Sequence, residues 1–132
     1  MSSTIAAPPA ESARARRGRL VGAAALTFMG VLHFAVPRNF DRIVPGWVPG
    51  DPRTWTYLSG LWELGAAALI ADRRTRRLGG YVAAATLVAV YPANIQMAID
   101  TPPTSPVGVL LALRLPLQFP MIAWALGHAR RH

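Results

Sequence analysis

Four apolar stretches, each close to the length that crosses a bilayer, decide what this chain can fold into. They run from Leu20 to Val36, Thr54 to Ala71, Leu78 to Ile99 and Val107 to Leu126, and about 20 helical residues span a hydrocarbon core of about 30 Å. Inside hydrocarbon, backbone polar groups must be satisfied within the segment, which makes such stretches helical. The expectation is an all-α polytopic membrane protein folded as a four-transmembrane-helix bundle. Hydrophobic residues make up 52% of the 132 positions. They gather in blocks and leave little for a soluble domain. Residues 1–13 read as a disordered cytoplasmic tail, 14–127 as the transmembrane domain with an outer loop at 37–53, and 128–132 as a basic cytoplasmic tail.

All 14 basic residues are arginine and the net charge is +8, a sign that fits nucleic acid. Their placement argues against that partner. Arg14, Arg16, Arg17 and Arg19 precede the first block, Arg73, Arg74, Arg76 and Arg77 separate the second from the third, and Arg130 and Arg131 follow the fourth. The positive-inside rule then places both termini in the cytoplasm, with anionic membrane lipid as the partner. Residues 14–36 resemble a secretory signal, but His33-Phe34-Ala35-Val36-Pro37 offers no small-x-small cleavage site, so the segment is expected to stay as the first span.

The chain has no cysteine, which removes thiol chemistry and thiolate metal sites. His33, His128 and His132 lack the spacing of a zinc site, and one histidine near a helix end makes no bis-histidine haem pocket. No flavin site and no phosphate-cradling glycine loop is present; Gly79-Gly80 reads as close helix packing. His128 and His132 read as solvated or headgroup-facing.

The segment 37–53 holds four prolines, yet also Phe40, Ile43, Val44, Trp47 and Val48. It is too broken for a long helix and too apolar for open water. It is expected in the outer interface, either as an anchor or as a cap over a cavity. Trp47, Trp55 and Tyr57, with Trp124 and Tyr81 at the other boundary, fit aromatic belts.

Polar residues inside the blocks carry the functional reading, because ionisable groups in hydrocarbon survive only when paired or used. Helical rise puts His33 roughly 6 Å from the outer end, Asn94 about 8 Å, Arg114 about 10 Å and Glu63 about 14 Å, so all could join one cluster. Ser59 lies a turn from Glu63, Tyr91 shares a face with Asn94, and Gln118 shares one with Arg114. An Arg114–Glu63 ion pair, its remaining donors taken by Asn94, Tyr91 or Gln118, would remove most of the arginine's insertion penalty of about 2.5 to 3.5 kcal/mol. Such a pair can be purely architectural; the surplus of polar groups favours a ligand or catalytic site. Pro92, Pro116 and Pro120 kink the helices beside it. For acid–base chemistry the candidates are His33 and Glu63.

At these residues the chain resembles the DoxX-like family of small four-helix bacterial membrane proteins. The resemblance rests on His33-Phe34 with Pro37 and Phe40, Ile43-Val44-Pro45 with Trp47, Tyr57-x-Ser59-Gly60 with Glu63, Pro92-x-Asn94-Ile95, and Arg114-x-Pro116-Leu117-Gln118, and covers about residues 20–127. It implies a bundle in the bacterial inner membrane, linked to membrane redox or stress-response systems, with an oxidoreductase partner and a quinone or other apolar small molecule as ligand. It brings no established mechanism. Two other classes fit less of the sequence. An intramembrane enzyme acting on a lipid, quinone or terpenoid would use Glu63 and His33 for proton transfer and Arg114 to hold developing negative charge. A small proton-coupled exporter would need its acid free and in the first span.

Overall fold

The computed structural model describes residues 9–130. Among them the fold is entirely helical: α1 (Ala13–Ala35), α2 (Pro37–Asp41), α3 (Pro52–Ala71), α4 (Arg76–Asp100) and α5 (Pro106–Arg130). Each apolar block lies within one of the four long helices, apart from Val36, which closes α1 as its C-cap. Their starts are written locally. Ser12 Oγ accepts from Ala15 N at 3.2 Å, Asp51 Oδ1 from Arg53 N at 3.0 Å and Ser105 Oγ from Gly108 N at 3.0 Å, satisfying amides that a helix N-terminus leaves without partners. Pro52 and Pro106 open α3 and α5, where a missing N–H costs nothing.

The long helices pack in sequence order, α1 on α3, α3 on α4 and α4 on α5. Small residues let them approach. The core is Ala23, Leu26, Ala66, Ala67, Ile70, Ala83, Ala84, Leu87 and Ala125, and a Cβ added at Gly80 would fall 2.6 Å from the Ala125 carbonyl oxygen. Helices gain no hydrophobic drive from one another in lipid, so close backbone contact supplies the attraction. The outward faces carry large apolar side chains, among them Phe28, Leu61, Trp62, Leu110, Leu113 and Phe119, more apolar surface than water tolerates on a monomer.

Three helices, α1, α4 and α5, are long and apolar enough to cross a membrane. α3 has 20 residues but falls outside this group, because Pro52, Arg53, Thr54, Thr56, Ser59 and Glu63 dilute its apolar content.

The described parts of the two expected tails, residues 11–13 and 128–130, belong to the packed fold. Residues 1–8, 131 and 132 lie outside the described residues. Ser12 already caps α1, and the Glu11 side chain is 6% exposed, held by Arg19 Nε and Nη2 at 2.9 and 3.0 Å with Arg73 and Arg76 each 3.8 Å away. The hydrogen bond from Arg19 holds the Glu11 carboxyl below the usual carboxylate range. Arg19 also donates to the Ile70 and Ala71 carbonyls, capping the C-terminus of α3, where a cation offsets the helix dipole. At the other end α5 continues through His128, which is buried and not solvated. Its Nδ1 lies 2.9 Å from the Trp124 carbonyl one turn back.

Candidate functional site

Close backbone approach between α1 and α3 creates the site. At Gly30 and Gly60 each residue's added Cβ would collide with the other helix: for Gly60 the nearest atoms are Phe34 Cε2 at 2.7 Å and His33 Cβ at 2.8 Å. Three residues beyond each glycine, His33 and Glu63 meet across this crossing, with Nδ1 3.5 Å from Oε2. Both are buried. His33 Nδ1 also lies 2.8 Å from the Met29 carbonyl. A carbonyl only accepts, so this bond assigns the ring proton to Nδ1 and directs it away from the carboxylate. Glu63 Oε2 is consequently the one buried side-chain oxygen or nitrogen without a hydrogen-bond partner among the described residues.

Glu63 opens onto a cavity of about 650 Å³ walled by α1, α3, α4, α5 and the segment after α2, a volume in the range of small-molecule sites. His33, Thr56, Ser59, Glu63, Asn94 and Arg114 supply its ionisable and hydroxyl or amide side chains, and apolar residues form most of the rest. The 37–53 segment closes one end, with Phe40, Ile43, Val44, Pro45, Trp47 and Val48 facing the cavity. Of the two roles expected for this segment, the geometry is that of a cap. Phe40 stacks on the His33 ring with centroids 3.8 Å apart. Asp41 ties the cap to α3, accepting from Arg53 Nε at 2.8 Å and Thr56 Oγ1 at 2.7 Å. Desolvation raises the Asp41 carboxyl, and the bonds from Thr56 and Arg53 together with the arginine charge outweigh it, leaving the group below the usual carboxylate range. Trp55 Nε1 adds a bond to the Pro49 carbonyl at 2.7 Å.

The expected cluster is corrected in two places. Arg114 does not pair with Glu63; its Nη1 donates to Gln118 Oε1 at 3.0 Å, one turn along the same helix. Gln118 is buried, and its Nε2 donates to the Leu87 carbonyl, next to the Val88 carbonyl that Pro92 deprives of a helical partner. Gln118 thus joins α5 to α4 behind the cavity wall. Tyr91 is not on the wall either, its ring lying edge-on to Phe119 at 6.2 Å. Sequence reasoning missed Asp41, Arg53 and Thr56 as cap anchors and Glu11 with Arg19 as a buried pair. Opposite charges bracketing a proline-rich loop, and a carboxylate eight residues before an arginine at a helix start, were the available signals.

No group of three or more metal-ligating side chains occurs among the described residues. What the site offers is an acceptor without a donor, a guanidinium, a histidine and a predominantly apolar wall.

Fold and site together define an all-helical protein with apolar, membrane-compatible helices beside a cavity capped at one end. The family model described as "Domain of unknown function (DUF8561)" matches residues 23–129, and the chain belongs to that family. No curated protein and no solved structure matches the chain significantly.

Proposed function

We propose that this is a membrane-embedded binding protein for a small apolar molecule, held in the capped cavity by Glu63, His33, Asn94 and Arg114. The observation that carries the reading is the buried, donor-less Oε2 of Glu63, a residue that lines a predominantly apolar cavity. An unsatisfied buried acceptor costs about 1 to 3 kcal/mol, and a ligand that donates to it removes that cost. In this reading α3 crosses the membrane with the three more apolar helices, giving four spans, and its polar residues are tolerated because they face the cavity. The arginine-rich helix ends place both termini in the cytoplasm and the cap on the outer side of a bacterial inner membrane. The DoxX-like resemblance adds a role as accessory component of a membrane redox or stress-response system, with a quinone or lipid as ligand and an oxidoreductase as partner.

A second reading, an intramembrane enzyme acting on such a molecule, is favoured by His33 and Glu63 lying side by side on the cavity wall, two groups able to exchange protons with a substrate held there.

Thermal melting of the delipidated protein with added neutral amphiphiles tests the binding reading, because a ligand specific for the folded state raises the midpoint with its concentration. Saturable stabilisation that disappears in Glu63→Leu supports it. Equal stabilisation of both proteins by every amphiphile contradicts it.

A further inference from the structure

We propose that the occupant is a neutral amphiphile whose hydroxyl-bearing head hydrogen-bonds Glu63 beneath the cap and whose chain extends along α1 toward Gly18. This rests on the reading of the cavity as a ligand site and adds the chemical class and orientation of what fills it.

The cavity is a slot. One face of α1 lines it from His33 through Met29, Ala25 and Gly22 to Gly18, about 22 Å of helix at 1.5 Å per residue. The cavity leaves about 650 Å³ for the centres of water-sized molecules, room for an extended chain along that length.

Polarity is graded along the slot. His33, Ser59, Glu63, Asn94 and Arg114 cluster toward the cap, whereas Gly18, Val21, Gly22, Ala25, Met121 and Trp124 line the far part. Trp124 packs against α1 in that part, lying where a Gly22 side chain would stand. A molecule polar at one end and apolar along its length matches this gradient.

The head is specified by what the wall lacks. Glu63 Oε2 needs a donor, which a hydroxyl provides and a hydrocarbon does not. Arg114 offers guanidinium donors to the oxygen of the same head or to a neighbouring oxygen. One carboxylate and one guanidinium on the same wall balance in charge. An anionic head would meet Glu63 and a cationic head Arg114, each at an electrostatic cost that grows in a low-dielectric setting.

The test is photolabelling of the full chain in nanodiscs with hexadecan-1-ol carrying a diazirine near its chain end, the sites being mapped by peptide mass spectrometry. Expected labels fall between Gly18 and Ala25 or near Trp124. Unlabelled hexadecan-1-ol should compete about tenfold better than hexadecane or palmitate, as one hydrogen bond predicts. Glu63→Leu should lower labelling about tenfold, and Glu63→Gln, whose amide oxygen still accepts, should retain most of it. Ala25→Phe, which leaves the head site untouched, should abolish competition by hexadecan-1-ol while sparing that by octan-1-ol. Equal competition by hexadecane, preference for palmitate, or unchanged labelling of Glu63→Leu overturns the proposed class and leaves a cavity that binds something else. Label that no competitor displaces overturns the ligand-site reading itself.

Discussion

His33 and Glu63 face each other with Nδ1 3.5 Å from Oε2, yet the proton on Nδ1 is directed to the Met29 carbonyl at 2.8 Å. The pair therefore leaves a buried acceptor without a donor in a residue that lines the cavity. A purely architectural pair would use its proton to close that gap. Relieving an unsatisfied acceptor is worth about 1 to 3 kcal/mol, so in delipidated protein Glu63→Leu should melt above wild type while losing ligand-dependent stabilisation. Gain of stability with loss of binding is the pattern of a functional site. Loss of stability in the ligand-free protein would make Glu63 a structural residue.

Arg114 and Glu63 line the same cavity, but Arg114 is bonded to Gln118 at 3.0 Å. In ligand-free protein, a double-mutant cycle between Arg114→Ala and Glu63→Gln should give a coupling within about 0.5 kcal/mol of zero, as for sites that share no partner. The Arg114→Ala and Gln118→Leu cycle should couple by about 0.5 to 3 kcal/mol. Gln118→Leu alone should cost about 1 to 3 kcal/mol, because it removes the donor to Leu87. Chemical denaturation in mixed micelles reads all of these.

Two glycines on α3 separate close approach from open space. An added Cβ at Gly60 falls 2.7 Å from Phe34 Cε2 and 3.2 Å from the Gly30 carbonyl, whereas one at Gly65 meets nothing within 4 Å. Gly60→Ala should force α1 from α3, costing about 1 to 3 kcal/mol as overpacking does, and should weaken ligand binding by moving His33 from Glu63. Gly65→Ala should be neutral or stabilise by up to about 1 kcal/mol through its better helix propensity. Melting and ligand titration of the two variants check the contrast.

The far end of the bundle carries the pH dependence. Glu11 is held below its ordinary value of 4.5 by Arg19, so the folded state favours the ionised form. The resulting stabilisation is complete above about pH 4.5 and is lost as pH falls through the lowered folded value. Glu11→Gln should flatten the melting profile in that acid range. Arg19→Ala leaves Glu11 without its bidentate partner and uncaps α3, and should cost about 3 kcal/mol or more. Arg73→Ala removes only a 3.8 Å contact from a half-exposed side chain and should cost under about 1 kcal/mol. Equal effects of the two arginine substitutions would contradict this division.

These residues also mark how far the sequence is legible. Helix positions follow from apolar block length, and the shared depth of His33, Glu63, Asn94 and Arg114 follows from helical rise. Depth fixes position along an axis and says nothing about rotation around it. That is why Glu63 could be placed near Arg114 in height, while its neighbour is His33, brought there by the Gly30–Gly60 crossing. Glu11 was unreadable as a structural residue because its burial depends on arginines from α1, the α3–α4 turn and α4. His128, with arginine two residues on, looked solvated; its burial is set by packing of α5 against α4.

Native mass spectrometry of protein gently extracted from its membrane, comparing wild type with Glu63→Leu and Arg114→Ala, tests the central claim most directly. The account predicts a discrete bound mass of a few hundred daltons on wild type that is missing from both folded variants. A wild type that retains no such mass, or variants that keep it undiminished, would contradict the assignment of the capped cavity as a ligand site.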